Sequence, residues 1–550
     1  MNADHPWRSL YPAGVRADLP DLARAPSVPA AWAERVARDP GSTALLYFDG
    51  RLTVLEVDQL SDALAAALQE RGVTRGDRVA IRLQNVPAYP ITMLALWKFG
   101  AAALLVNPMY KQQELRHLLT DSGAVGMLVD ETDVEEAVAA ARESSIQWIV
   151  GLSSRDFQTR DDPRAFDLRA RRTAAPDGAW TEWVEHFRGR RAEPVELDAD
   201  DLALLTYTSG TTGPPKGAMN SHRNVLTAAA SYGDWVDLAT GDVVFAMAPL
   251  FHITGAVINA TMALLHDTSL VMTHRFRPDV ALDAFVEHSV TFTVGSITAF
   301  NALAAQPHVD RRHFASVRYL YSGGAPIPPT TVARFRELSG HYIHNVYGMT
   351  ETSSAVVGAP RGTEAPVHGP SNTLSIGVPL PGLDARIIDP DGSPLPPGER
   401  GELELSGPAV VTGYWENPDA TTSTMPGGRL HTGDGAIMDE QGWIYLVDRL
   451  KDQINVSGYK VWPREVEDAL YEHPAVHEVA VVGRPDEYQG ESVVAFVSLT
   501  PDGTARPDEL VGFVRTRLAA YKCPREVIVI DELPKTQTGK IRRRELRERL

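Results

Sequence analysis

The sequence predicts an α/β fold built on largely parallel sheets, followed by a small antiparallel β unit and a separate α+β domain. Three observations carry this. Helical and strand-like patterns alternate from about Pro29 onward, as in proteins that cover parallel sheets with helices. After about Thr373 the texture turns to Pro, Gly and short alternating strands. From about Leu450 to the end, compact helix and strand patterns return.

Taken in order, LTVLEVDQLSDALAAALQERG from Leu52 has apolar positions at helical spacing and stops at Gly72. DRVAIRL from Asp77 reads as a strand. YPITMLALWKFGAAALLVNP from Tyr89 is the most membrane-like stretch, but Lys98 and Gly100 interrupt it. It falls short of the ~20 apolar residues a span needs, so a buried helix followed by a strand is expected. GAVGMLVD and SIQWIVGL are short buried strands. SIGVPLPGLDARIIDPDGSPLPPGERGELELSGPAVVTGYW reads as a small antiparallel unit or barrel. In the last domain REVEDALYEHP and DELVGFVRTRLA read as helices, and HEVAVVGRP, GESVVAFVSLT and REVIVID as strands. RLKD, just before that domain, carries no helix-breaking residue, so composition alone does not place the boundary.

The chain has 550 residues, 43% hydrophobic and 23% charged, which excludes a disordered, collagen-like or disulfide-stapled protein. Lys and Arg number 53 against 71 Asp and Glu, a net charge of −18. A surface this acidic repels phosphate backbones, so generic nucleic-acid binding is not expected, although one basic nucleotide pocket is compatible with it. The lone Cys523 forms no internal disulfide and fits a reducing compartment. The polar, proline-broken N-terminus has no apolar signal core. A soluble cytoplasmic protein without an integral membrane segment is expected. His and Cys do not cluster as zinc or iron ligands.

The most informative segment is LALLTYTSGTTGPPKGAMNSHRNVLTAAASY. An apolar strand leads into Thr208, Ser209, Gly210, Thr211, Thr212, Gly213, two prolines, Lys216 and Gly217, and Asn220 or Ser221 is placed to cap the following helix. The glycines allow close backbone approach, and hydroxyls, amides and one cation suit phosphate oxygens. The loop is not a Walker A motif, which needs Gly where Pro215 stands and Ser or Thr where Gly217 stands.

This loop resembles the signature of the adenylate-forming superfamily: acyl-CoA synthetases, peptide-synthetase adenylation domains and firefly-type luciferases. PLFHITG, SGGAPIPP, NVYGMTE, HTGD, DRLKDQINVSGYKVWPREVE and PKTQTGK follow in the family's order. GYKVWPREVE is most similar to bacterial fatty-acyl-CoA synthetases. The resemblance implies a large N-terminal domain, residues 1–449, of two α/β subdomains plus a β-barrel-like unit. A hinge at 450–452 and a small mobile C-terminal domain at 453–550 follow. It also implies ATP-dependent formation of acyl-AMP and pyrophosphate, then transfer of the acyl group to coenzyme A with release of AMP.

Site residues follow from the resemblance position by position. Thr208 to Gly213 with Lys216 hold the triphosphate, and Thr208 and Glu351 serve Mg²⁺. Gly324, Ala325, Asn345, Tyr347 and Gly348 line the adenine slot, and Thr350 contacts the α-phosphate. Asp434 and Arg449 hold the ribose. Lys540 is the catalytic lysine, and His252 stands at the carboxylate entrance. Lys451 is the hinge position. Ser457, Gly458 and Tyr459 form the face that serves the second step, and Lys460 and Arg525 are placed for the CoA phosphates. Asn455, where some plant-type aryl ligases carry Lys, argues against a phenolic acid.

The small apolar residues Ala256, Ala260, Gly295, Ser296 and Ala299 suggest an acyl pocket for an uncharged acid, medium- or long-chain fatty or otherwise hydrophobic. Asp234 or Asp237 is placed to grip an amino group, but both also suit a turn. A carrier protein or an amine is the alternative acceptor. A luciferase-like oxygenase or a silent nucleotide-binding scaffold would differ in chemistry, and the intact Lys216, Glu351, Asp434 and Lys540 argue against the scaffold. Any oligomer is expected to be a homodimer.

Overall fold

The computed structural model describes residues 5–208, 215–325, 327–369, 373–449, 452, 454–456, 459–486, 490–501, 503–536 and 540–550, and gives only the backbone at 448, 449, 459 and 460. Its first sheet has six strands in the order Trp148–Leu152, Gly126–Asp130, Arg78–Arg82, Ala102–Leu105, Leu202–Tyr207, Gly217–Ser221. All pairs are parallel except the last, a hairpin. The middles of the parallel strands Arg78–Arg82 and Gly126–Asp130 are continuous apolar runs because both faces are covered. The membrane-like segment is the helix Ala88–Trp97 with every residue buried, followed by the strand Ala102–Leu105. No helix among the described residues is long and apolar enough to cross a membrane.

The second sheet has nine strands in the order Val378–Pro379, Ser354–Gly358, Ile343–Met349, Tyr319–Ser322, Phe292–Gly295, Val243–Phe245, Ser269–Met272, Thr43–Tyr47, Gly50–Thr53. Its middle is parallel and its ends antiparallel. The Pro- and Gly-rich region forms a four-stranded antiparallel sheet of Asp384–Ile388, Arg400–Ser406, Leu430–Met438 and Ile444–Arg449. One hydrophobic core runs from Trp7 to Tyr445 through these layers.

From Ile454 onward the chain builds its own cores, one joining Ile454 to Val527 and another joining Ala480 to Leu546. They lie on two sides of a five-stranded sheet in which Val476–Asp486 and Gly490–Leu499 form the long antiparallel pair. The fold is therefore a large N-terminal α/β assembly followed by a small α+β unit.

A buried arginine ties the N-terminal helix to the core. Ser27 caps the helix Val28–Arg38, and Arg35 on it is fully buried. Its guanidinium donates to the carbonyls of Ala263, Leu264 and Thr268 at 2.8, 2.6 and 2.8 Å. These acceptors stand around the end of the helix Met262–Leu265, where a cation also suits the helix dipole, and the Ala263 carbonyl accepts from Thr268 Oγ1 as well. Burial pushes the guanidinium down to about 10, which leaves it charged at neutral pH. Arg35→Met should lower unfolding free energy by about 3 kcal/mol, because the buried carbonyls of Leu264 and Thr268 lose their donor and that of Ala263 keeps only the Thr268 hydroxyl. Urea denaturation checks this, and a loss below about 1 kcal/mol would show the guanidinium to be dispensable.

Candidate active site

The hairpin Leu202–Tyr207 and Gly217–Ser221 carries the glycine-rich loop at its tip. Thr208 N–H donates to the Lys216 carbonyl at 2.9 Å, and Lys216 N–H to Thr208 Oγ1 at 3.4 Å, which closes the loop's base. Ser209, Gly210, Thr211, Thr212 and Gly213 lie outside the described residues. Residues Gly217–Ser221 form a strand before the helix His222–Trp235 begins. Ser221, not Asn220, caps that helix, its Oγ accepting from Asn224 N–H at 3.3 Å.

Asn220 has a different task. Its Nδ2 donates to Thr350 O and Ser353 Oγ, both at 2.9 Å, and so anchors the single 3₁₀ turn Thr350–Thr352. This turn ends in left-handed backbone at Ser353, φ 52°, a conformation held by its surroundings. Glu351 on the turn is buried, only 7% exposed. Tyr414 Oη donates to Glu351 Oε1 at 2.7 Å, while its ring lies 5.0 Å from Lys216 Nζ. Burial, then the adjacent carboxylate, push the Tyr414 hydroxyl well above the usual phenol range, so it remains a donor. The hard oxygens of Glu351 and the Thr208 hydroxyl near the loop's base suit Mg²⁺, which takes oxygen ligands and retains waters. No group of three or more His, Cys, Asp or Glu forms a metal cage among the described residues.

The strand Ile343–Met349 brings the next set together. Tyr347 Oη donates to Asp434 Oδ2 at 2.7 Å in a buried setting. Asp434 stands opposite Arg449 in the antiparallel pair Leu430–Met438 and Ile444–Arg449, so the two ribose candidates share one register position. Asn345 is buried and its Nδ2 donates to Ser375 O at 3.2 Å, which fixes its orientation. Gly348 is required sterically, since a Cβ there would stand 1.8 Å from the Ser354 carbonyl oxygen. Gly324 has φ 81°, and Ala325 beside it is half-buried. Lys451, Ser457 and Gly458 lie outside the described residues, as do the side chains of Arg449, Tyr459 and Lys460. Arg525 is exposed.

Lys540 reaches the site from the C-terminal unit. Its loop is closed by an antiparallel bridge between Lys535 and Ile541 and by Lys540 N–H donating to Thr536 Oγ1 at 3.1 Å. The Lys540 stem lies beside Gly324, its Cε 3.8 Å from where a Cβ on that glycine would sit. Burial first, and the Lys540 cation second, push the His252 imidazole down to about 4, so it is neutral at pH 7. Thr254 N–H donates to His252 Nδ1 at 3.3 Å, so the neutral ring carries its proton on Nε2.

The helix after His252 is a π-helix over Thr254–Thr261, a form common at functional sites. Gly255 makes room for it, since a Cβ there would meet the Pro249 carbonyl oxygen at 2.0 Å. Thr261 Oγ1 closes the wide turn by donating to Ala256 O at 2.8 Å. Asn85 braces the preceding loop: its Nδ2 donates to Ala246 O at 2.9 Å and its Oδ1 accepts from Leu250 N–H at 2.8 Å. Asn85, Asn220 and Tyr414 were not evident from sequence, because each acts through a partner more than 60 residues away. Asp234 and Asp237 sit near the far end of the helix His222–Trp235. Arg318 and Arg361 lie within ion-pair distance of Asp237, and Arg361 binds the backbone carbonyl of Asp234.

Comparison with known proteins identifies the family. The AMP-binding enzyme family matches residues 32–415, and the AMP-binding enzyme C-terminal domain matches residues 465–540. A long-chain-fatty-acid–CoA ligase from Escherichia coli is 35% identical over 98% of both chains. A feruloyl-CoA synthase from an Amycolatopsis species is 36% identical over 94% of this chain and 98% of its own. Among solved structures, ATP-bound MatB from Rhodopseudomonas palustris superposes with a TM-score of 0.84 at 28% identity, covering 95% of this chain and 99% of its own. The chain belongs to the AMP-binding enzyme family, spans both of its parts, and is an AMP-forming acid–thiol ligase.

Proposed function

We propose that this enzyme activates a hydrophobic carboxylic acid, a medium- or long-chain fatty acid or an acid of similar polarity, and passes it to coenzyme A. The observation that carries the reading is the meeting of Lys540, Gly324 and His252, drawn from three distant parts of the chain. In the first step a carboxylate oxygen attacks the α-phosphorus of ATP, and the bond to the β-phosphate oxygen breaks to release pyrophosphate. In the second, the CoA sulfur attacks the acyl carbon, and the bond to AMP breaks.

The chain's own groups divide these tasks. The loop from Thr208 to Gly213 with Lys216 holds the phosphates. Gly324, Ala325, Asn345, Tyr347 and Gly348 form the adenine slot, and Thr350 touches the α-phosphate. Asp434, oriented by the Tyr347 hydroxyl, accepts from the ribose with Arg449 as its second contact. Lys540 meets the charge that grows on the α-phosphate and the attacking carboxylate, where a fixed cation is most effective. Neutral His252 offers its Nε2 proton at the acid's entrance without attracting a competing anion. Thr208 and Glu351 would hold Mg²⁺, which supplies charge neutralisation on the phosphates. Residues 1–449 and 453–550 turn about 450–452 at Lys451, so that Ser457, Gly458 and Tyr459 replace Lys540 for the second step, with Lys460 and Arg525 toward the CoA phosphates.

The fatty-acid ligase relatives and the uncharged wall after His252 support an aliphatic acid. The similarity to a feruloyl-CoA synthase favours a second reading, a hydrophobic aryl acid. Mass spectrometry of products from ATP, Mg²⁺ and a panel of fatty, aryl and amino acids, with and without CoA, separates them. Acyl-CoA from an uncharged acid is expected. Acyl-AMP that accumulates and ignores CoA would redirect the assignment to an amine or carrier-protein acceptor.

Lys540→Ala should slow acyl-AMP formation by about 10²–10³-fold, the range for losing one preorganised donor to developing charge. Supplied acyl-AMP should still be converted to thioester. A wild-type adenylation rate would remove Lys540 from the chemistry. Lys451→Pro fixes the backbone at the turning point. It should retain pyrophosphate exchange and lose thioester formation, and equal loss of both steps would defeat the hinge.

A further inference from the structure

Tyr414 stands between two groups of opposite charge. Its ring faces Lys216 Nζ at 5.0 Å, and its hydroxyl donates to Glu351 Oε1 at 2.7 Å. The side chain is buried, at 5% exposure. Its backbone is fixed to the elements that carry both partners. Trp415 N–H donates to Gly217 O at 2.7 Å, and Met219 N–H to Gly413 O at 3.1 Å, so residues 413–415 run antiparallel to the hairpin strand that follows Lys216. Val411 N–H donates to Glu351 O at 2.9 Å, and Tyr414 N–H to Thr421 Oγ1 at 2.9 Å. One short segment therefore fastens the lysine and the carboxylate and inserts an aromatic ring between them.

The physical problem such an insertion solves is self-neutralisation. A lysine and a glutamate in a partly dry site attract each other strongly. Once paired, they would have to separate before a phosphate could take the lysine or a cation the carboxylate. Among the described residues Lys216 forms no ion pair with any carboxylate; its described contact is the Tyr414 face. An aromatic face attracts a cation more weakly than a carboxylate does, and leaves its N–H donors available. The phenol donor orients one oxygen of Glu351 without supplying positive charge.

We propose that Tyr414 is a positioning residue that keeps Lys216 and Glu351 apart and separately aimed, so that each meets the nucleotide unpaired. The inference rests on the reading of Lys216 as a phosphate contact and Glu351 as a metal-linked carboxylate. Tyrosine is suited to the position because it presents a π face and an O–H donor on one rigid plane. Phenylalanine retains the first property alone, and leucine neither.

Equilibrium binding of ATP to the full-length protein, by titration calorimetry without acid and with or without Mg²⁺, tests it. Thermal unfolding of each variant checks its folding. Tyr414→Leu should weaken metal-free ATP binding about tenfold, as Lys216 turns to Glu351. Adding Glu351→Gln to that variant should restore binding to the level of Glu351→Gln alone. Tyr414→Phe should bind metal-free ATP as wild type does, yet need about tenfold more Mg²⁺ for half-maximal enhancement, the effect of one lost hydrogen bond to a charged group. Wild-type metal-free binding by Tyr414→Leu, or a loss that Glu351→Gln does not relieve, would overturn the separating role. An unchanged Mg²⁺ curve for Tyr414→Phe, which also decides the matter should Tyr414→Leu not fold, would overturn the aiming role. Failure of the unsubstituted protein to bind ATP would instead reject the reading of the site, a result separable from all of these.

Discussion

The antiparallel pairing of Leu202–Tyr207 with Gly217–Ser221 is the constraint on which the site depends. The first of these strands is the last parallel member of the six-stranded sheet, so its position is fixed by a buried apolar core. The second strand is paired on one side with it and bridged on the other to residues around Tyr414. It also supplies Asn220, which anchors the turn bearing Glu351 at the end of the nine-stranded sheet. Two sheets and the connection between the second and third strands of the antiparallel unit thus meet along five residues. Displacement of that strand would move the loop's base, the buried carboxylate and the Tyr414 ring together.

The register of the joins between layers is set by a few buried polar side chains within the shared apolar core. Arg35, Asn85, Asn220 and Asn224 each satisfy carbonyls at the end of a helix or strand, where the chain's own ladder has run out. Apolar contacts hold surfaces together without fixing their register, whereas an amide that must reach two particular carbonyls does. Asn85 shows the distinction. It lies just after a strand of the six-stranded sheet, and what it specifies is the path of the loop entering His252.

Much of this was legible in the sequence, and the reason is local. Apolar periodicity marked the helix Val54–Glu70 and the strands Arg78–Arg82 and Gly126–Asp130, because burial is written at fixed intervals along the chain. The helix Ala88–Trp97 was recognisable as buried because it is apolar on every side yet too short to span a bilayer. Motif positions such as Tyr347, Asp434 and Lys540 came from resemblance, and the hydrogen bond between Tyr347 and Asp434 adds what spacing could not give. The strand over Gly217–Ser221 was not read, since its pairing is decided by neighbours on both sides. Nor was the π-helix, whose wide turn depends on Gly255 lying against the Pro249 carbonyl. Tyr414 gave no local signal: an aromatic in a Gly-Tyr-Trp run has no periodic partner, and its meaning arises only when Lys216 and Glu351 arrive from elsewhere.

The π-helix over Thr254–Thr261 is, in register, an α-helix that has accommodated one residue too many. Excision of a single codon within it would allow the turn to relax to ordinary α geometry. Side chains within the former wide turn would be re-aimed, while those beyond it would keep their register, because the π turn had absorbed the extra residue. A wall of small and branched residues beside His252 would be exchanged for a different set in one mutational event, with the sheets behind it undisturbed. Length variation of one residue, rather than substitution, is therefore an economical evolutionary route by which a scaffold of this kind could change the acid it admits.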